Sequence, residues 1–175
     1  ITVAEVINVT SGGATLTLQA GRSILINANI TTNNGALTLT ANDAGAVDAQ
    51  RGSGAAAITM DSSGSGTTIN TGSGTFTATI STKSTSGDIT LNTVTAGALV
   101  IANNGTTLGS DILDSGVLTV SGTSSFTTAA SDGVITLDSA NALTGAVTLN
   151  TNSSGSSANA TVDNGTTALV IAEST

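Results

Sequence analysis

A five-residue segment occurs twice in the chain without a single change. Ala98-Leu99-Val100-Ile101-Ala102 returns seventy positions later as Ala168-Leu169-Val170-Ile171-Ala172. Related phrases fill much of the remaining sequence: a small residue, then apolar residues alternating with Thr or another small polar residue, then Gly, Asn, Asp or Ser. Such self-similarity constrains the fold strongly, because each repeat has to form the same local structure and bury its apolar side against a neighbouring copy.

The alternation within each phrase has a period of two, which is the period of a β-strand. One face of each strand is therefore apolar, and the other carries Thr. The inward set is Leu16, Leu18, Ile24, Ile26, Leu37, Leu39, Ile58, Met60, Ile89, Leu91, Leu118, Val120, Ile135, Leu137, Val147 and Leu149. The outward set is Thr15, Thr17, Thr38, Thr59, Thr90, Thr119, Thr136 and Thr148. Since β-branched residues favour strands, we expect an all-β fold.

Similar phrases lie about 17 to 22 positions apart, which is a spacing typical of a solenoid. The Asn-Gly clusters at 33–35, 103–105 and 163–165 supply corners with positive φ. The same clusters also suit β-hairpins, so an antiparallel sandwich or barrel is the alternative. We predict a parallel β-helix of about eight or nine turns of about 20 residues, with Leu16, Leu37 and Ile58 stacked in one column.

The few aromatic residues support a narrow interior. The chain has no Trp or Tyr and two Phe, whereas an immunoglobulin-like sandwich usually carries a core Trp or Tyr. We expect Phe76 and Phe126 to fill the core. Leu25 and Val100 fall on the outward side of their strands.

The charge balance argues against nucleic acid as a partner, and the short apolar runs argue against insertion into a membrane. The net charge is −8, and Arg22, Arg51 and Lys83 are the only cations, so there is no basic surface for nucleic acid. The longest apolar run, Ala98 to Ala102, is far too short to cross a bilayer. We therefore expect no membrane insertion of this segment.

The stretch "GGATLTLQAGRSILINANITTNNGALTLTA" (12–41) resembles the repeat region of the filamentous haemagglutinin family, large bacterial exoproteins secreted by the two-partner route. The matching residues are Gly13, Leu16, Leu18, Ala20-Gly21, Ile24, Ile26 and Asn27-Ala28. Autotransporter passenger regions have similar repeats. The resemblance implies a right-handed parallel β-helix, export to the bacterial cell surface and a role as the shaft of an adhesin.

Residues 1–175 are expected to form a single β-solenoid segment of a longer repeat protein, because the sequence opens directly in a strand pattern and neither end has an atypical closing repeat. A passive shaft would leave contact with a cell-surface receptor or glycan to other parts of the chain. One alternative is a self-assembling fibre or surface-layer subunit that associates end to end. Another is a ligand-binding solenoid for carbohydrate or for ice, the latter through Thr arrays such as 75–82.

No catalytic residue, cofactor or metal ligand is assigned. Asp111 and Asp114 are the closest acidic pair, but the three cations are far apart in sequence and no Tyr or Trp is present to stack a sugar. Calcium is an alternative at the turn acids Asp43, Asp61, Asp114, Asp132, Asp138 and Asp163, for which turn capping is the preferred interpretation. The Asn-x-Ser/Thr triplets start at Asn8, Asn29, Asn104, Asn152, Asn159 and Asn164, and they carry little information in a chain so rich in these residues.

Overall fold

The strand phrases form the successive coils of a parallel β-solenoid. A computed structural model describes residues 1–61, 63–152 and 158–173 of the chain. Within these residues each complete coil contributes one strand to each of three parallel sheets, which we call A, B and C. Three strands per coil, each with one apolar face, enclose a shared interior.

Within each sheet the strands stack in chain order, one from each coil. Sheet A consists of β1 (Thr2–Val3), β4 (Ile24–Ile26), β7 (Ala56–Met60), β10 (Ser86–Leu91), β13 (Ile112–Asp114), β16 (Ile135–Leu137) and β19 (Ala160–Val162). Sheet B consists of β2 (Ile7–Asn8), β5 (Ile30–Thr31), β8 (Thr68–Asn70), β11 (Thr93–Ala96), β14 (Leu118–Val120) and β17 (Ala142–Leu143). Sheet C consists of β3 (Leu16–Gln19), β6 (Leu37–Ala41), β9 (Thr75–Ile80), β12 (Ala98–Asn103), β15 (Ser124–Thr128), β18 (Ala146–Asn150) and β20 (Val170–Ile171). A 3-10 turn, Asp48–Gln50, lies between β6 and β7.

The core is a set of aliphatic columns that run from coil to coil. Leu37, Phe76 and Leu99 lie directly above one another in sheet C, and all three are buried. The expected inward residues are buried, except that Leu16, Leu18 and Leu149 are partly exposed at the outer coils. Phe76 and Phe126 are fully buried core residues, as predicted.

The number of coils and one predicted column differ from the sequence-based expectation. The described residues form about seven coils rather than eight or nine, because most compact coils take 23 to 25 residues, as from Phe76 to Leu99 and from Leu99 to Ser124 in sheet C. The first coil, from Leu16 to Leu37, is shorter. Leu16 does stack on Leu37. Ile58 does not continue that column; it lies in sheet A, between Ile24 and Ile89.

The exact repeat lies in one sheet, three coils apart. Leu99 pairs with Ser124, Ser124 with Val147, and Val147 with Ile171. The residue stacked three coils above Leu99 is therefore Ile171, two positions beyond Leu169, its sequence counterpart. A shift of two residues keeps the same side chains facing inward.

Two long connections enlarge the third coil without disturbing its sheets. The connection from β6 to β7 spans residues 42–55, and the one from β7 to β8 spans 61–67, of which residue 62 lies outside the described residues. Five consecutive residue pairs nevertheless join β6 to β9 in unbroken register, from Leu37–Phe76 to Ala41–Ile80. The extra chain is thus accommodated at corners.

A column of glycines forms the corner between sheets B and C. It contains Gly35, Gly74, Gly97, Gly122 and Gly145, at equivalent positions in successive coils. A Cβ atom on Gly97 would lie 2.0 Å from the carbonyl oxygen of Ser73, and one on Gly122 would lie 2.4 Å from that of Gly97. Glycine is required there by close backbone approach. The positive φ predicted for the cluster 33–35 is present, but at Asn33 and Asn34 rather than at Gly35.

Candidate functional site

The side chains of the closest acidic pair in the sequence, Asp111 and Asp114, point to opposite sides of β13. Asp111 precedes β13 and accepts a hydrogen bond from the backbone N–H of Val134 at 2.9 Å. Asp114 ends β13 and is only 8% exposed. Because side chains alternate along a strand and Ile112 is buried, Asp111 and Asp114 lie on opposite faces. Asp114 is thus a buried side chain rather than an exposed turn acid.

Asp114 replaces an aliphatic residue in an inward column of sheet A. It pairs with Leu91 in the preceding coil. Its Oδ1 accepts the backbone N–H groups of Asp138 and Ser139, and its Oδ2 accepts Nδ2 of Asn141 at 2.8 Å. Burial raises the pKa of the Asp114 carboxyl, while the bonds from these three donors act in the opposite direction. The carboxylate is a structural acceptor for the next coil.

A second set of acids connects coils on the outer side of sheet A. Asp88 accepts the backbone N–H of Asp111 at 3.0 Å, and Asp111 in turn accepts that of Val134. Burial raises the pKa of the Asp88 carboxyl, the bond from Asp111 lowers it, and the nearby charge of Asp111 raises it. Each carboxylate therefore binds the backbone of the following coil.

Three more of the acids considered as calcium ligands, Asp61, Asp132 and Asp163, make similar backbone contacts. Asp61 accepts the N–H groups of Ser65 and Gly66, and Asp132 accepts that of Gly109. Asp163 accepts the N–H of Gly165 at 2.7 Å. No group of three or more His, Cys, Asp or Glu that could hold a metal ion occurs among the described residues.

The glycosylation triplets differ widely in accessibility. Asn8 is exposed, whereas Asn164 is 7% exposed and holds both backbone groups of Leu143 through its amide. The triplet at Asn152 extends into residues outside the described part of the chain. A buried asparagine in this role is a structural residue, so the triplet at Asn164 is not an acceptor in the folded chain.

The three cations, distant in sequence, meet at the connection between β6 and β7, which we call the insertion loop (residues 42–55). Arg22 donates from Nη1 to the carbonyl of Ser53. Lys83 lies 3.5 Å from the Asp48 carboxylate. Separation in sequence therefore does not mean separation in space for these residues. The sequence feature that indicates this loop is the Gly- and Ala-rich segment 44–55, which interrupts the series of strand phrases.

Arg51 anchors the insertion loop to the solenoid. Its Nη1 donates to the carbonyl of Gly21 and, at 3.1 Å, to Oδ1 of Asn42, and its Nη2 donates to the carbonyl of Asp43 at 2.8 Å. The Arg51 side chain is 8% exposed. A buried guanidinium bound to several oxygens in this way fixes the loop over the outer face of sheet A.

A cavity of about 520 Å³ lies between the insertion loop and the first two coils. Leu25, one of the outward aliphatic residues, forms part of its floor, and Val47 and Gln50 form part of its roof. The polar lining side chains include Gln19, Arg22, Ser23 and Arg51. This volume is in the range of small-molecule binding sites.

The outer face of sheet C is a second candidate surface. Thr17, Thr38 and Thr77 stack in one outward column, and Thr40 and Thr79 stack in the column beside it. Gln19 opens the second column, while Val100 and Ala102 follow these rows in the fourth coil. The strands of sheet C carry no charged residue. The first three coils thus present an uncharged array of Thr hydroxyl groups, with Gln19 at one end of the second column.

Comparison with known proteins found no matching family model, no matching curated protein and no matching solved structure. The resemblance to filamentous haemagglutinin repeats accordingly stands on the sequence features alone. Among the residues that the structure describes, none belongs to a helix of the length and apolarity needed to span a membrane.

Proposed function

We propose that this segment is part of the shaft of a secreted bacterial surface adhesin or extracellular fibre. The observation that supports the proposal most directly is the continuous stack of about seven coils around one aliphatic core. In such an array each coil is stabilised by its neighbours, so the structure extends by addition of coils. Strand spacing of about 4.8 Å gives a rod about 30 Å long for this segment.

In this proposal the segment holds a binding element of the same protein away from the cell. Receptor or glycan recognition at the target surface belongs to other parts of the chain. The repeat phrases that resemble secreted haemagglutinins support export to the bacterial surface. The hydrogen bonds between coils, such as Asn141 to Asp114, support a rigid rather than a flexible spacer.

Immunogold labelling of producing cells tests the shaft. Antibodies raised against the 175-residue segment should label intact cells, at a distance from the outer membrane. Label confined to the cell interior would contradict the proposal. Electron microscopy of the purified segment tests the fibre-subunit alternative, since a shaft segment gives discrete short rods at high concentration and a polymerising subunit gives long filaments.

Removal of one whole coil tests whether the segment behaves as an extendable rod. Deletion of residues 99–123 joins Ala98 to Ser124, the residue stacked on Leu99, and therefore preserves the register of sheet C. The variant should fold and be shorter by about 4.8 Å in small-angle scattering. A matched deletion of residues 99–110 removes half a coil, and it should prevent cooperative folding because the register is lost.

The hydroxyl array on sheet C favours a second candidate function, binding of ordered water at an ice surface. Outward side chains repeat at about 4.8 Å between strands and about 6.7 Å along a strand, and such a lattice suits ordered water. The Thr38→Tyr variant interrupts the array, whereas Thr59→Tyr makes the same change on sheet A. Thermal hysteresis should be present in the wild type and in T59Y, and absent in T38Y. Its absence from the wild type would exclude this function.

A further inference from the structure

The cavity beneath the insertion loop has a charge opposite to that of the chain around it. The chain has eleven acidic residues and three Lys or Arg. Two of the three cations, Arg22 and Arg51, line the cavity, and no Asp or Glu is among its described lining residues. A local positive potential within an acidic protein attracts and orients an anionic group.

We propose that this cavity binds an acidic saccharide, with its carboxylate held by Arg22 and its hydroxyl groups by Gln19 and Gln50. This proposal is independent of the shaft function. It concerns the side of the solenoid, near the first two coils, rather than either end.

Arg22 is prepared to receive a carboxylate. Its Nη1 donates to the carbonyl of Ser53, which holds the exposed side chain against the loop. That bond uses one of five guanidinium N–H donors, so the remaining donors can engage a carboxylate. A cation already fixed in place loses less conformational entropy when a ligand binds.

Arg51 adds a buried charge at the back of the cavity. Its Nη groups bind Gly21, Asn42 and Asp43. Its Nε is buried and has no hydrogen-bond partner within the described part of the chain, since the Asp48 carboxylate is 3.6 Å away, at ion-pair distance. The Asp48 carboxylate offsets part of the Arg51 charge, so direct contact with an anionic ligand is left to Arg22.

The lining points to a singly charged, hydroxyl-rich ligand. A protein of net charge −8 repels polyanions such as nucleic acid or densely sulfated glycans, whereas one carboxylate matches one accessible guanidinium. The amides of Gln19 and Gln50 supply both donors and acceptors, which is what sugar hydroxyls require. Leu25 offers an apolar patch for the C–H face of a sugar ring.

Isothermal titration with a galactose trimer that carries one galacturonate residue tests the site, and the trimer made of galactose alone is the uncharged counterpart. The wild-type segment should bind the acidic trimer at least tenfold more tightly than the neutral one. The Arg22→Gln variant should weaken binding of the acidic trimer at least tenfold. Lys83→Gln is the matched control, because it removes the same charge from a residue that is not part of the cavity lining, and it should change the affinity less than twofold.

Four results would overturn the proposal. They are no binding of the acidic trimer at millimolar concentration, equal binding of both trimers, equal loss in the two variants, and equally tight binding of an acidic peptide of the same charge. Far-UV circular dichroism of each variant shows whether the solenoid is intact. Gln50→Ala, on the exposed loop, provides a second variant that should weaken binding without affecting the fold.

Discussion

Asn141 donates its Nδ2–H to Oδ2 of Asp114 at 2.8 Å, and this bond joins two successive coils at a corner where both side chains are buried. The same Asn141 side chain accepts the backbone N–H of Leu118 at 2.8 Å. One amide therefore satisfies a buried carboxylate and a buried backbone donor. Polar groups are tolerated inside a narrow solenoid because such pairs satisfy their hydrogen bonds. Here the same pair also connects one coil to the next.

Asn141→Ala is expected to destabilise the segment by about 2 to 4 kcal/mol, since it leaves the N–H of Leu118 and the Asp114 carboxylate without this partner. Urea unfolding followed by circular dichroism measures the change. Asn8→Ala, at an exposed position, is the control and should change stability by less than about 0.5 kcal/mol. Equal effects of the two substitutions would show that the buried bond contributes little.

Gly97→Ala is expected to destabilise the segment by about 3 kcal/mol, because the new Cβ would meet the Ser73 carbonyl at 2.0 Å. Gly87→Ala is a matched control, since its Cβ would meet nothing nearer than 3.5 Å. The control should be neutral within about 1 kcal/mol, and its reduced unfolded-state entropy favours a small gain. Thermal and urea midpoints of both variants distinguish these outcomes. A neutral Gly97→Ala would mean that the corner can widen.

The raised pKa of Asp88 predicts a pH dependence of stability. The Asp88 carboxyl has a pKa near 3.8 in the unfolded chain. The folded chain therefore still holds a proton on this carboxyl at a pH where the unfolded chain has released it. Stability therefore increases as the pH falls from above the folded-state pKa towards 3.8, and this increment is lost as the pH rises. Asp88→Asn removes this contribution, so urea midpoints between about pH 7 and about pH 4.5 should vary less than in the wild type. Glu5→Gln removes the same charge from an exposed position and should leave the dependence unchanged.

Arg51→Gln should release the insertion loop while leaving the coils folded. The shorter amide cannot reproduce the donors that bind Gly21, Asn42 and Asp43. Thermolysin, which cleaves before apolar residues, should then cut at the exposed Val47 several-fold faster than in the wild type. Lys83→Gln breaks only an exposed ion pair with Asp48 and should leave the cleavage rate close to wild type.

The sequence predicts the inward residues from the local alternation, and it predicts the parallel solenoid from the recurring spacing of similar phrases. It does not predict which phrases stack. All three strands of a coil follow the same pattern, so Ile58 could not be assigned to sheet A, and the enlarged third coil shifted the partner of Leu37 to Phe76. The spacing of Asp114 two residues after buried Ile112 did indicate an inward position, but the adjacent Ser115-Gly116 suggested a turn.

The candidate cavity could not be predicted from the sequence either, because its lining comes from separate parts of the chain. Its floor comes from the first two coils and its roof from the insertion loop, so its residues have no common motif. The approach of Arg22 to Ser53 depends on how the connection 42–55 folds back, and alternation says nothing about that. The regular part of such a protein can be predicted from its pattern, whereas the irregular part requires coordinates.

The unbroken pairing of β6 with β9 across the enlarged coil separates chain length from sheet register. The corner that carries the insertion loop is therefore a natural grafting position. A foreign epitope exchanged for the exposed residues 47–50 would be displayed on the side of a rigid rod, at a height set by the number of coils on either side.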